Sequence, residues 1–190
     1  MPPEAPLPFA TPADWRAWLE THHASEPQIT LKLYRKASGT ASITWEEAVI
    51  EALAFGWIDG VKRPGGPDHW LQRFTPRKPR SGWSQKNRTH VDRLIAEGRM
   101  TPAGLKQVEA AKADGRWDAA YSGGKNAEIP QDFLDAVAQV AKAAETYATL
   151  NAQNRYAIYY RLTTVKRPET RAKRIADFVA MLARGERFYP

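Results

Sequence analysis

The residues best suited to chemistry lie in one basic, tryptophan-containing segment of the chain. Residues 62–93 carry nine basic and two acidic side chains, a net charge of +7, which equals the net charge of the whole chain. Prolines and a glycine interrupt the centre of this segment, and Ser84 is placed to cap a following helix. A helix start favours an anion, and arginines beside a flat indole are suited to phosphate, carboxylate or single-stranded nucleic acid. The same pattern is also typical of an ordinary solvated loop before a capped helix.

The candidate ligand-binding residues come from this segment and from the corner that precedes it. Arginines would supply charge, tryptophans a stacking surface or a pocket wall, and Ser84 with its helix start the contacts to an anion. A structural interpretation, in which the indoles fill the core, stays open. The predicted set is Trp57, Asp59, Arg73, Arg77, Arg80, Ser81, Trp83, Ser84 and Asn87.

Asp59 lies where a helix that ends on glycine turns directly into a predicted strand. If the following hairpin pairs Arg63 with His69, the same register places Asp59 opposite Arg73. Such a pair would hold the guanidinium in place, either as a structural contact or to direct Arg73 toward a ligand.

A second basic cluster lies near the C-terminus, at the start of a predicted helix, and consists of Lys166, Arg167, Arg171 and Arg174. The three arginines share one helical face. Cations at a helix start oppose its dipole, so a compensating acidic patch or external anion is expected. The cluster is typical of a solvated helix face, and it would also suit a nucleic-acid surface together with residues 62–93.

Catalytic and metal-binding signals are weak. The chain has no cysteine, which excludes thiol catalysis and cysteine-ligated metals. His22 and His23 are adjacent and cannot both face one site on a helix, while His69 and His90 lack metal-ligand spacing. An acid–base pair of Asp59 and His69 is conceivable if the two side chains meet. We predict no cofactor and no metal, and the pattern leans away from catalysis while leaving it open.

Caps and hydrophobic periodicity predict the elements that position these residues. The hairpin places Arg73 on a strand, Arg77 and Arg80 lie in the irregular segment that follows, and the C-terminal part is helical. In chain order we expect a helix from Thr11, a strand over 29–36, a helix from Thr44 to Gly56, a hairpin of 57–63 and 69–75, helices from Ser84 and Thr101, a helical stripe of Phe133, Val137, Val140, Ala144 and Tyr147, a helix with Tyr156, Tyr159 and Tyr160, and a last helix from Pro168 to Gly185.

The predicted fold class is α+β, an N-terminal helix/strand part with a small antiparallel sheet followed by a helical C-terminal part. We expect an α+β domain over residues 1–121 that carries the Trp/Arg/Ser motif. A linker over 122–130 then leads to a helical domain over 131–190.

Composition narrows the class of protein. Hydrophobic residues at 43% and charged residues at 26% are typical of a globular chain. No uncharged run is long enough for a transmembrane helix, and the N-terminus lacks the basic and apolar regions of a signal peptide. We therefore expect a cytoplasmic protein without a transmembrane segment, and the sequence does not predict its oligomeric state.

Six short motifs follow one another along the chain: Phe55–Gly60, Phe74–Arg77, Ser81–Asn87, Gly98–Gly104, Gly115–Trp117 and Lys166–Ile175. Together they resemble the signature of the bacterial YdeI/OmpD-associated family, in the right order over roughly residues 9–185. Val165 departs from the pattern, which has alanine there. The resemblance implies a protein of the bacteriocin-protection or porin-associated type, without an established reaction, and it makes no residue a known catalyst.

Three functions follow from these observations. The leading hypothesis is a non-catalytic protein of stress or envelope protection that binds an anionic ligand or an acidic protein partner through residues 57–87. The second is nucleic-acid binding through both basic segments, with an affinity that falls steeply as salt rises. The third is an enzyme that uses Asp59 and His69.

Overall fold

The computed structural model describes residues 5–123, 127–165 and 167–190. Internal contacts divide the chain into two compact units, Met1–Ala120 and Tyr121–Pro190. The sequence-based domain boundaries, with a linker over 122–130, stay a prediction. Residues 124–126 of that linker and Lys166 of the second basic cluster lie outside the described residues.

The first unit combines four α-helices with a small sheet in its described part. Local capping explains where the helices begin: Thr11 and Thr44 form capping boxes, and the Ser84 and Thr101 hydroxyls each accept a hydrogen bond from a backbone N–H three residues on. The elements are α1 (Pro12–His22), β1 (Ile29–Tyr34), a 3₁₀ turn (Lys36–Ser38), α2 (Trp45–Ala54), β2 (Trp57–Pro64), β3 (His69–Pro76), α3 (Gln85–Ala96) and α4 (Pro102–Ala113).

The sheet is antiparallel, with β3 between β1 and β2. Side chains alternate between its faces. Ile29 of β1 lies opposite Phe74 of β3, and both are buried in the core, so this side is the core face. Thr30 lies opposite Arg73 on the other side, the open face, where Arg73 is exposed to solvent.

The register of β2 on β3 differs from the predicted one. Asp59 lies opposite Phe74 rather than Arg73, and Arg63 lies opposite Leu71, because a β-bulge follows Asp59 in β2. A bulge changes which residues share a face, and the local signal for this one, a glycine inside the strand at Gly60, was not used in the predicted register. Asp59 is thus on the core face and Arg73 on the open face, so the predicted Asp59–Arg73 pair is wrong.

A buried carboxylate links three parts of the first unit. The Glu51 side chain on α2 is 4% exposed and lies between two arginines. Arg16 of α1 donates to Glu51 Oε2 at 3.0 Å, and Arg99, which precedes α4, forms an ion pair with the other oxygen. Pairing of this kind offsets the cost of burying the charge.

The second unit is helical, with α5 (Gln131–Ala138), α6 (Ala141–Ala148), α7 (Ala152–Thr163) and α8 (Pro168–Ala183) in its described part. Its core includes Phe133 and Leu182. The predicted single stripe through Val140 is wrong at that residue, because Val140 has extended backbone angles and is 36% exposed. The chain breaks there into α5 and α6, and Ala143 is buried instead.

The two units together confirm the predicted α+β class: among the described residues, the sheet lies in the N-terminal part and the C-terminal part is helical. None of the described helices combines the length and hydropathy that a membrane crossing requires. The described residues also contain no group of three or more histidine, aspartate or glutamate side chains placed to hold a metal ion.

Candidate functional site

The open face of the sheet holds a cleft that two arginines line from neighbouring strands. Arg63 extends from β2 and Arg73 from β3, and the cleft between them has a volume of about 370 Å³. Amide and hydroxyl groups and an apolar surface complete its wall. The lining residues are Pro6, Gln28, Thr30, Val61, Arg63, Leu71 and Arg73.

The two guanidinium groups of this arginine cleft carry charge that the described residues do not neutralise. Arg63 and Arg73 are both exposed, and within the described parts of the chain neither forms an ion pair or a side-chain hydrogen bond. Gly60, in the bulge, leaves room for Arg73, since a Cβ there would lie 3.3 Å from Arg73 Nε. The same bulge that moves Asp59 off the open face therefore accommodates this arginine.

The other two predicted arginines are not part of this cleft. Arg77 is only 5% exposed, its guanidinium lies 3.7 Å from the centre of the Trp83 ring, and its Nη2 donates to the Gly82 carbonyl at 2.5 Å. Arg80 is exposed and does not line the cleft. Of the three predicted arginines, the structure brings Arg73 alone to the cleft.

The predicted tryptophans are packed into the core of the first unit. Trp57 and Trp83 are each 1% exposed. Trp57 Nε1 donates to the His23 carbonyl at 3.1 Å, and the Trp83 ring packs edge-on against Trp117 at 4.9 Å. A ring buried to this degree has no free face for a ligand, so the expectation that these indoles offer a stacking surface is wrong.

The predicted serines serve local backbone structure, and Asn87 takes part through its backbone N–H. Ser84 Oγ accepts the Asn87 N–H at 3.1 Å and so caps α3, and Ser81 Oγ accepts the Lys78 N–H at 3.0 Å. Because the Ser84 hydroxyl already satisfies one donor of the helix start, fewer free N–H groups remain there for an anion.

Asp59 is half-buried and faces α2. Trp45 Nε1 donates to Asp59 Oδ2 at 3.2 Å. Burial raises the pKa of Asp59, while the hydrogen bond from Trp45 and the positive charge of Arg77 act to lower it. Arg77 is thus the cationic neighbour of Asp59, a position that the predicted register gave to Arg73.

The predicted acid–base pair of Asp59 and His69 is not formed. Asp59 lies on the core face, whereas residues 69, 71 and 73 alternate onto the open face. His69 Nδ1 instead contacts Asp68 Oδ1 at 2.6 Å, and its ring lies 5.6 Å from Tyr34. With the two side chains on opposite sides of the sheet, they cannot exchange a proton directly.

The second basic cluster is largely engaged within its own unit. Arg171 forms an ion pair with Asp132 through both terminal nitrogens, one of them at 2.9 Å, and this contact lowers the pKa of Asp132. Arg174 Nη1 donates to the Arg161 carbonyl at 2.7 Å. Arg167 is the N-cap residue of α8 and is exposed.

Sequence reasoning missed Arg63 as a site residue. The signal was present, since Arg63 and Arg73 both lie in strands that the alternation predicted. The predicted register already placed them on one face, but it set Arg63 opposite His69, four residues from Arg73 along β3. The observed register sets Arg63 opposite Leu71, only two residues from Arg73. The buried Glu51 ion pairs were also missed, because their partners lie 35 and 48 residues apart in sequence.

Two family models match the chain. Residues 7–107 match a domain of unknown function, DUF8412, and residues 126–185 match the family described as Bacteriocin-protection, YdeI or OmpD-Associated. The second match confirms the family resemblance over residues 126–185, while the motifs up to Gly104 lie in the region of the first. Comparison with curated proteins and with solved structures gave no match. The chain thus belongs to the DUF8412 family, whose model covers residues 7–107, and its residues 126–185 are similar to the Bacteriocin-protection, YdeI or OmpD-Associated family.

Proposed function

We propose that the protein binds a small organic anion in the arginine cleft, with Arg63 and Arg73 as its charged contacts. The observation that supports this is the convergence of two exposed guanidinium groups on one cleft without a described carboxylate to neutralise them. A guanidinium fork matches the geometry of a carboxylate or phosphate and binds it through paired hydrogen bonds.

The remaining wall of the cleft favours an anion with an apolar part. Leu71 and Val61 give the cleft an apolar surface, and Val61 is 49% exposed. Gln28 and Thr30 add an amide and a hydroxyl group. A volume of about 370 Å³ lies in the range of pockets that hold small ligands.

We further propose a binding role in stress or envelope protection rather than catalysis. The described residues that line the cleft include no carboxylate and no imidazole, so none of them is suited to act as a general base near neutral pH. The protective context is taken from the family description, which names bacteriocin protection.

Calorimetric titration with four probe anions tests the proposal: inorganic phosphate, pyrophosphate, benzoate and octanoate. We expect at least one to bind the wild-type protein. Arg63→Ala and Arg73→Ala should each weaken that binding by about tenfold or more, the loss of one charge-assisted contact. Arg80→Ala is the matched control, because it removes the same charge from an exposed site outside the cleft.

Two results would contradict the proposal. One is the absence of saturable binding of all four probes up to about 10 mM, beyond the weak-affinity limit of roughly 1 mM for a useful small site. The other is an equal loss of affinity in Arg80→Ala and Arg73→Ala, which would show that the anion responds to overall charge rather than to the cleft.

A further inference from the structure

The core face of the sheet carries a second cavity, beside the start of α2, where two indoles meet a small set of polar groups. We propose that this cavity binds a neutral sugar ring. It has a volume of about 340 Å³ and is lined by Trp45, Asp59, Gly60, Lys62, Trp70 and Gln72. We call it the indole cavity. The inference does not depend on the arginine cleft, which lies on the open face.

Strand alternation places these side chains together. Lys62 of β2 lies opposite Gln72 of β3, so both belong to one face, and Trp70 lies two residues from Gln72 on that face. Asp59 is on the same side because it lies opposite the buried Phe74. The bulge in β2 therefore brings a carboxylate and an ammonium group to one cavity.

The charges of the indole cavity favour a neutral ligand. Asp59 repels an anion that Lys62 attracts, and Lys62, whose Nζ lies 4.9 Å from the centre of the Trp70 ring, repels a cation that Asp59 attracts, so the two groups give a singly charged ligand little net attraction. The charged groups among its lining residues are this one carboxylate and this one ammonium, so they sum to zero. A ligand that both donates and accepts hydrogen bonds without a net charge satisfies both groups.

The hydrogen-bonding groups are held in fixed orientations. Gln72 is 2% exposed, and its Nε2 donates to the Gly60 carbonyl at 2.9 Å, which directs the amide. In the described parts of the chain no donor reaches Gln72 Oε1, and Trp45 engages only one carboxylate oxygen of Asp59. The Asp59 carboxylate also accepts its own backbone N–H, and its remaining lone pairs, Gln72 Oε1 and the Lys62 ammonium are left for hydroxyl groups, which act as donors and acceptors.

The indoles supply the apolar part of the recognition. Trp45 is 39% exposed, and Trp70 is half-buried. The ring C–H groups on one side of a pyranose form an apolar patch that packs on an indole, while its hydroxyls point outward to polar groups. Trp45 and Trp70 also line a neighbouring cavity of about 680 Å³, which includes Ser42 and Thr44 and adds room beyond one sugar ring.

The test combines tryptophan fluorescence with saturation-transfer NMR. The probes are glucose, galactose, mannose, N-acetylglucosamine, maltose and cellobiose, with choline and inorganic sulfate as charged comparisons. We expect saturable binding of at least one sugar, and of neither charged compound at this cavity. Asp59→Asn, which keeps the shape of the side chain, and Trp70→Ala should each weaken sugar binding by about tenfold or more.

Two control variants separate this site from general effects. Tyr160→Ala removes an aromatic ring with the same 39% exposure as Trp45, but in the second unit, and should leave the sugar affinity unchanged. Arg73→Ala should also leave the sugar affinity unchanged, so the test of the indole cavity is independent of the test of the arginine cleft.

Three results would overturn the inference. The first is no saturable binding of any of the six sugars up to about 10 mM. The second is sugar binding that persists at full affinity in both Asp59→Asn and Trp70→Ala. The third is binding of choline or sulfate that Asp59→Asn or Trp70→Ala removes, which would assign a charged ligand to the cavity. If circular dichroism shows that Trp70→Ala does not fold, the sugar affinity of Asp59→Asn alone tests the inference.

Discussion

Residues 155–190 and residues 62–93 carry nearly the same positive charge, +6 and +7, but their arginines have different neighbours. In the C-terminal segment Arg171 is paired with Asp132, and Arg174 donates to a backbone carbonyl. In the N-terminal segment Arg63 and Arg73 share a cleft without a described partner. Charge counted along the chain is therefore a poor guide to charge available for a ligand.

The secondary structure explains part of this difference. Helix ends leave backbone carbonyls without an intrahelical partner, and Arg174 uses the carbonyl of Arg161 in the last turn of α7. In the sheet the ladder occupies the backbone groups, so an arginine needs a side-chain partner across the strands. The residues opposite Arg73 and Arg63 are Thr30 and Leu71, and neither carries a negative charge.

The largest effect we predict concerns Arg77, which lies in the same basic segment as Arg73 but is buried. Arg77→Ala should lower the free energy of unfolding by about 3 kcal/mol. It removes a guanidinium stacked on Trp83 and takes away the positive charge that acts on half-buried Asp59. Urea unfolding followed by fluorescence measures the change.

Arg80→Ala is the matched control for Arg77→Ala, because Arg80 lies in the same loop and is exposed. Its effect should stay within about 0.5 kcal/mol. Equal losses of stability in the two variants would mean that Arg77 is not part of the core, and the division of this segment into packed and exposed arginines would fail.

Local signals predicted the helix starts of this protein well. The structure contains both of the local contacts that start α2 and α3. These are the capping box of Thr44 with Glu47 and the hydrogen bond from the Asn87 backbone N–H to the Ser84 hydroxyl. The hairpin was also predicted from local signals. Its register was not, because Gly60 inside the strand permits a bulge without fixing how far the pairing shifts. The helix break at Val140 was missed because apolar residues recur every three or four positions on both sides of it, as they would in one continuous helix.

The candidate site was less predictable than the fold. Arg73 was identified from the sequence, whereas Arg63 was not, because the predicted register left it opposite His69, four residues from Arg73, and the observed register places it opposite Leu71, two residues away. The roles of Trp57 and Trp83 were open because a tryptophan pattern is the same for a pocket wall and for a buried ring. Tertiary packing decides between the two, and here both rings are buried.

A second prediction compares one arginine from each basic segment. Arg174→Ala should lower the free energy of unfolding by about 1 kcal/mol, because it removes the hydrogen bond to the Arg161 carbonyl. Arg73→Ala should change it by less than about 0.5 kcal/mol. Parallel urea titrations of the two variants measure the difference. A larger loss in Arg73→Ala than in Arg174→Ala would reverse the contrast between the segments.

Of the variants that break a contact of a basic segment, Asp132→Asn should have the smallest effect, because the Asp132 side chain is 50% exposed and solvent screens its pair with Arg171. The loss of stability should stay below about 1 kcal/mol and shrink further at high salt. Since Arg171 lowers the pKa of Asp132 from 3.8, the folded state holds fewer protons than the unfolded state just below pH 3.8. The stabilisation by this pair is therefore complete above that range and is lost as the pH falls through the lower, folded-state pKa.

Unfolding of the wild-type protein and Asp132→Asn at pH 7 and at several values below 4 gives this pH dependence. The difference in stability between the two proteins should narrow toward low pH. A difference that grows as the pH falls would mean that Arg171 does not stabilise the charged form of Asp132. Arg171 would then belong, with Arg63 and Arg73, among the arginines whose charge is available to a ligand. At this residue the two basic segments would no longer differ.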